Sequence, residues 1–227
     1  MLFGERLARA EKYVALLADT GIAHGLVGPR ERPRLWERHV LGCAVLGDVI
    51  PDSSRVLDIG SGAGLPGLVL AIRRPDLEIT LVEPLHRRVV WLVDAVQSLQ
   101  LVNVTVHEGR ADSCWAGPKV DIVTARAVAR IGLLAQWSLP LLDAGGHLLA
   151  LKGSSAQIEL DEDERLLRSS GALSWGVSQL GEGLLEPPAT LVTVSIGQTP
   201  VAPPKRGAQG VGPRPGSGGR HRRGGKA

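Results

Sequence analysis

The chain has 227 residues, 44% of them apolar and 3% aromatic, with a formal net charge of +3 at pH 7. That length buries one domain of ordinary size plus appendages, around a core built mainly from Leu, Val, Ile and Ala. No apolar run approaches the roughly 18 residues that span a bilayer, and the first residues lack the apolar centre and cleavage site of a signal peptide, so a cytoplasmic protein without membrane contact is expected.

Residues 2–19 carry apolar side chains at helical spacing, among them Leu7, Tyr13, Val14, Leu16 and Leu17, and predict a helix. A loop with Gly21, Gly25, Gly28 and Pro29 follows. "RERPRLWERHVLGCAVLGDVI" (30–50) predicts a second helix that begins near Pro33, because proline is tolerated in a first turn. Pro51 and Asp52 break it. From Ser54 onward strands and helices alternate. Strands are expected at 55–59, 78–82, 103–107, 120–125 and 146–151, and helices at 65–73, 87–99, 131–141 and 156–170. Two further strands, 174–180 and 191–197, have no helix between them and predict a hairpin-like end with one antiparallel strand. Near-continuous Val, Leu and Ile strands separated by helices predict an α/β fold with a mostly parallel sheet covered on both faces.

The last segment, 198–227, holds seven basic residues and no acidic one, and is rich in Gly and Pro. Subtracting those seven charges leaves the body at −4. Such a tail cannot bury enough surface to offset its ordering entropy and is expected to be disordered. A basic tail of this kind either meets nucleic acid through phosphate neutralisation or serves as a solubilising terminus. The expected division is therefore a helical extension (1–52), a sheet domain (53–197) and a tail (198–227). Cys43 and Cys114 are the only cysteines. They form neither a CxxC pair nor a metal-ligand spacing, so no metal site is expected.

The chemistry concentrates in "VLDIGSGAGLPG" (56–67), where an apolar strand runs into Gly60, Gly62, Gly64 and Gly67. Glycines there permit positive φ and close approach of a ligand to the main chain. Open parallel sheets bind ligands beyond the carboxyl ends of their strands, where strand order reverses. Gly62-x-Gly64-x-x-Gly67 formally matches the dinucleotide fingerprint. Three neighbours point away from a pyrophosphate. Asp58 places an anion beside the loop and suits a cationic group such as an α-amino group. Glu83 ends the next strand, where its carboxylate can accept two hydrogen bonds from a ribose diol. "GRAD" (109–112) ends the strand after that, where an adenine edge would lie. Together these describe S-adenosylmethionine. Each has a structural alternative: Asp58 as a loop cap, Glu83 in an ion pair with Arg87, Asp112 as an N-cap.

The motifs "LWERHVLGCA", "VLDIGSGAGLPGLVLAI", "GRAD", "TARAVA" and "LLALKG" stand in the order and spacing of the ribosomal RNA small-subunit methyltransferase G family, also called glucose-inhibited division protein B, which the chain resembles over residues 1–195. The resemblance implies a seven-stranded, mostly parallel, Rossmann-like methyltransferase sheet with helices on both faces and an N-terminal helical extension. It implies methyl transfer from S-adenosylmethionine to N7 of a guanosine in the 530 loop of 16S ribosomal RNA, presented as naked RNA or in a small-subunit particle. By analogy Gly60, Leu65, Ala111, Asp112 and Arg126 contact the cofactor, with Glu83 at the ribose. Arg110, Arg126 and Lys152 match basic positions near the active face. In the last hairpin, where the family often carries a basic residue, this chain has none between Arg168 and Lys205.

Arg126 and Lys152 end the strands "VDIVTAR" and "HLLALK" and are expected to point into the same crevice as the glycine loop. Arg126 is expected to position cofactor and substrate, Lys152 to hold the RNA backbone; both have strand-end ion pairs as alternatives. Arg87 and Arg88 open a helix, an electrostatically unhelpful place for cations, which fits a phosphate partner as well as a solvated face. His39 is read first as a structural hydrogen-bonder, with a functional role as the alternative. Guanine N7 loses no proton on methylation, and no base–nucleophile pair is evident. A monomer is expected. Two other classes remain open on the residues: an NAD-dependent oxidoreductase, and a non-catalytic RNA-binding module with a vestigial cofactor site.

Overall fold

The computed structural model describes residues 2–204; the basic residues of the tail, beginning at Lys205, lie outside the described residues. Seven strands form one sheet: β1 (Arg55–Ile59), β2 (Glu78–Glu83), β3 (Val104–Glu108), β4 (Val120–Arg126), β5 (Leu142–Lys152), β6 (Ser174–Leu180) and β7 (Ala189–Ser195). Their order is β3-β2-β1-β4-β5-β7-β6. The first five pair in parallel, while β7 lies antiparallel between β5 and β6. The order reverses at β1/β4, and the crevice beyond the carboxyl ends of these two strands is the switch point.

The pleat decides what faces what. Val56 packs on one face of β1 and Leu57 and Ile59 on the other, so Asp58 shares the face of Val56. That face carries α1 (Leu7–Leu16), α2 (Gly42–Ala44), α3 (Gly67–Arg73) and α4 (His86–Ser98), through buried Tyr13, Cys43, Leu68, Leu70 and Leu92. The opposite face carries α5 (Ile131–Ser138) and α6 (Ala156–Ser169), through Leu134, Leu160 and Leu167. Aliphatic side chains on both faces explain why the parallel strands read as continuous apolar runs.

Two expectations shift. The helix expected over 30–50 is a chain of short pieces: a 3-10 segment Pro29–Arg34, a wide π-type segment Leu35–Leu41, α2, and a 3-10 turn Val45–Asp48. Pro33 lies inside the first piece, where it removes a donor and tightens the winding. β5 begins at Leu142 rather than near 146, with an irregular register opposite Val120 and Ile122. Gly146 sits where a Cβ would lie 2.9 Å from the Asp121 and Asp143 carbonyls. Only glycine lets that kinked stretch stay paired.

Candidate active site

The loop between β1 and α3 is held in shape from below. Gly60, Gly62 and Gly64 have φ of +67°, +57° and +86°, a region that L side chains rarely adopt. Gly67 is required for another reason: a Cβ there would meet Leu81 Cδ2 at 2.3 Å and Asp58 Oδ2 at 2.8 Å. Gly62 differs from both, since a Cβ on it would meet nothing closer than 3.8 Å. Main chain faces open space at that point.

Asp58 is buried, and both of its oxygens are engaged. Gly67 N–H donates to Oδ2 at 3.1 Å and the Thr124 hydroxyl donates to Oδ1 at 3.0 Å. Burial pushes its carboxyl up to about 7, against the pull of those hydrogen bonds. It therefore ties the start of α3 to β1 and β4, the loop-cap alternative, rather than offering a free anion to a ligand's amino group.

Glu83 braces the same loop from β2. Gly62 N–H donates to its Oε2 and Leu85 N–H to its Oε1, each at 3.0 Å. Its arginine neighbour is Arg88, at 3.7 Å, rather than Arg87. Each carboxylate oxygen keeps a lone pair for a further donor. Its chain neighbours Val82 and Pro84, though not Glu83 itself, help wall a pocket of about 170 Å³ with Ile59, Gly60, Gly109, Arg110, Ala111, Asp112, Val128 and Trp137. Apolar walls with one acidic edge suit a planar base, and Val128 backs against Gly60, where a Cβ would lie 2.9 Å from it. Leu65 is half-buried at the turn into α3. Gly60, Gly62, Glu83, Ala111 and Asp112 are thus brought together at the carboxyl ends of three strands, as a nucleoside-shaped cradle.

The cations at the strand ends divide. In register Arg126 pairs with Leu151, so Lys152 lies one residue out of phase. The expectation of a shared crevice is corrected: the pleat sends the two side chains to opposite faces. Lys152 Nζ binds the Ala129 carbonyl at 2.8 Å and Glu159 Oε2 at 2.7 Å, among α5 and α6, and is one-tenth exposed. Arg126 turns toward the N-terminal helices. Its Nη2 donates to His39 Nδ1 at 2.7 Å, and its Nη1 reaches the His39 carbonyl and Cys43 Sγ, each at 3.3 Å. His39 Nε2 then bonds Glu31 Oε2 at 2.8 Å. An arginine only donates, so Nδ1 accepts and Nε2 carries the proton. Burial, aided by Arg126, holds the His39 pKa below its ordinary value.

Arg87 is exposed, and Arg88 half-buried beside Glu83. Arg110 is exposed on the pocket rim, with its guanidinium 5.9 Å from the Trp137 ring centroid and 3.7 Å from Asp112. Sequence reasoning treated Tyr13, Thr124, Val128 and Trp137 as packing or passed over them. Tyr13 is fully buried and its hydroxyl donates to the Ala63 carbonyl at 2.7 Å. A Tyr among Leu and Val on the first helix is the signal that something polar lies opposite, since buried hydroxyls find partners.

Comparison with known proteins gives one consistent result. Residues 6–185 match the family described as rRNA small subunit methyltransferase G. The chain is 50% identical over 225 residues to a ribosomal RNA small subunit methyltransferase G from Thermobifida fusca, covering 99% of this chain and 94% of that protein. It is also 50% identical over 200 residues to the protein of that name from Streptomyces avermitilis, covering 88% and 84%. Among solved structures, a SAM-dependent O-methyltransferase from Thermotoga maritima superposes with a TM-score of 0.55 at 14% identity, over 74% of this chain and 70% of that one. A precorrin-6y C5,15-methyltransferase from Geobacter metallireducens gives 0.52 at 16% identity, over 74% and 89%. These two likenesses show the methyltransferase fold.

Proposed function

The chain belongs to the ribosomal RNA small subunit methyltransferase G family, and from that premise we propose that it methylates N7 of a guanosine in the 530 loop of 16S ribosomal RNA. Membership makes it an S-adenosylmethionine-dependent ribosomal RNA methyltransferase; the atom and the loop are the proposed part. The observation that carries the cofactor assignment is Glu83, locked by Gly62 N–H and Leu85 N–H with lone pairs to spare, its chain neighbours Val82 and Pro84 lying on the pocket wall. Bound there, S-adenosylmethionine supplies an electrophilic methyl group on sulfonium sulfur.

The residues then divide the work. Glu83 accepts from the ribose hydroxyls. Ala111 and Asp112 take the adenine edge, with Val128 and Ile59 as its apolar walls. Gly60, Gly62 and Leu65 bring bare main chain to the amino acid end, near Arg126. Guanine N7 carries a lone pair and loses no proton, so no general base is required, and His39 has both ring nitrogens engaged. Catalysis rests on placing the two reacting atoms, an effect worth up to about 7–11 kcal/mol in the best intramolecular cases. Arg87 and Arg110, exposed at the rim, take RNA phosphates. Arg88 supports Glu83, and Lys152 ties the segment leading into α5 to α6. Residues 1–52 form the extension and 53–197 the methyltransferase domain. The protein acts on the small-subunit RNA in the cytoplasm as a monomer.

Mass mapping of 16S ribosomal RNA from cells with and without the protein tests the target. An N7-methylguanosine in the 530 loop disappears with the protein; a methyl group lost anywhere else overturns the assignment. Titration tests the site: S-adenosylhomocysteine binds and NAD does not. Glu83→Ala abolishes that binding and methyl transfer while RNA affinity stays, which separates an enzyme from a module that only holds RNA. Methylation surviving in Glu83→Ala removes Glu83 from the site.

A further inference from the structure

The N-terminal helices reach the cofactor crevice at two points, both polar, the first fully buried and the second half-buried. Tyr13, on α1, donates its buried hydroxyl to the carbonyl of Ala63, which is itself buried between Gly62 and Gly64. Those two glycines have positive φ, so nothing in their own side chains fixes the peptide between them. His39 accepts from Arg126 Nη2, and its own position is set by Glu31. Arg126 ends β4 at the switch point, and among the described residues its partners are His39 and Cys43 rather than a carboxylate. Its positive charge is aimed by neutral groups and is left for a ligand.

We propose that Tyr13 and His39 are positioning residues of the methyl-transfer site: Tyr13 fixes the Ala63 peptide and His39 fixes the Arg126 guanidinium, so the helical extension sets the geometry that meets the cofactor's amino acid end. This rests on the methyltransferase reading above. The extension is then the missing wall of the cofactor site rather than an appendage. The His39 link works in one protonation state only. A second proton on Nδ1 removes the acceptor and places two cations side by side. The charged and titratable groups around it are Arg38 on its own segment, Glu31 on the preceding one and Arg126 from β4, with Cys43, Tyr13 and Asp58 beyond Arg126.

Binding of S-adenosylhomocysteine to the full chain, followed by titration calorimetry from pH 5 to 8, tests the inference with four proteins. Tyr13→Phe removes one oxygen and leaves the Ala63 carbonyl unpaired. It weakens cofactor binding about tenfold while RNA affinity stays, consistent with the usual cost of a buried unpaired acceptor. His39→Ala does the same. His39→Asn keeps an acceptor where Nδ1 stands and cannot be protonated there, so it restores binding to within about twofold. Wild type loses affinity toward pH 5 and His39→Asn loses less; Asp58 titrates in both, so the difference belongs to His39. A lower Tm with unchanged cofactor affinity in both Tyr13→Phe and His39→Ala overturns the inference, because the two hydrogen bonds are then only structural. Equal losses in His39→Asn and His39→Ala overturn the His39 half. If Tyr13→Phe does not fold, the His39 pair decides. Failure of the wild type to bind the compound refutes the methyltransferase reading itself, a separate outcome.

Discussion

Asp58 and Glu83 both accept hydrogen bonds from main-chain N–H groups, Asp58 from Gly67 at the start of α3 and Glu83 from Gly62 in the glycine loop. Glu83 braces the loop from β2, whereas Asp58 is sealed under α3. Burial holds the Asp58 proton up to about pH 7, while the unfolded chain releases it near 4. Between those values the folded form binds more protons than the unfolded one. Asp58 therefore withdraws stability progressively as pH rises from about 4 to about 7, and the loss is complete above that. The effect is on the order of 2–4 kcal/mol. Other carboxylates, such as Asp76 with its pKa lowered by Arg74, tilt the raw curve the other way, so the readout is a difference. Urea unfolding at each pH gives Asp58→Asn a stability that grows relative to wild type across the window. Parallel curves would remove the titration from Asp58.

At the level of elements, much of the architecture was open to sequence reasoning. Apolar runs such as "RVLDI" and "ITLVE" lie within one residue of β1 and β2, since a parallel strand buried on both faces has nothing to hide. The glycine loop, Glu83 and the "GRAD" turn, the residues proposed for the cofactor, all stand at strand ends, and strand ends are marked locally in the sequence. The partners of Asp58, Arg126 and Lys152 are not. Asp58 meets Thr124, and Arg126 meets His39 from 87 residues away, which no local pattern encodes. Lys152 shows the limit most clearly. Its strand was found, but the register that throws it to the far side of Arg126 depends on how β4 meets β5. The broken second helix escaped for a related reason: its apolar spacing is helical, while Pro33 and tertiary packing choose the winding. Lys152 joins β5 to Ala129 and Glu159, so removing it leaves Glu159 half-buried at the start of α5 without its cation. Lys152→Ala is expected to lower unfolding free energy by about 2–3 kcal/mol, below the cost for a fully buried pair because both groups keep some solvent. Chemical denaturation measures this. Unchanged stability with weakened RNA binding would return Lys152 to the RNA face.

Across the whole molecule, the proposed reading has RNA and cofactor share one rim, and the tail is the part of it that charge alone tests. Removing residues 205–227 takes away all seven basic charges of the tail. Each phosphate left unneutralised flattens the salt dependence of binding by about 0.7–0.9 in log–log slope. RNA binding of the shortened chain, followed from low to moderate salt, is expected to weaken and to show a shallower slope. An unchanged slope would make the tail a solubilising end.

β7 also imposes an order in time. It is the last strand to leave the ribosome, yet it occupies an interior place, with β5 on one side and β6 on the other. A nascent chain that has emerged only as far as β6 can pair its first five strands and must leave β6 unattached and one flank of β5 bare. Sheet closure therefore waits for translation to pass Ser195. Chains stalled before that residue carry an open seam along an already paired β5, which is where chaperones and proteases would find them.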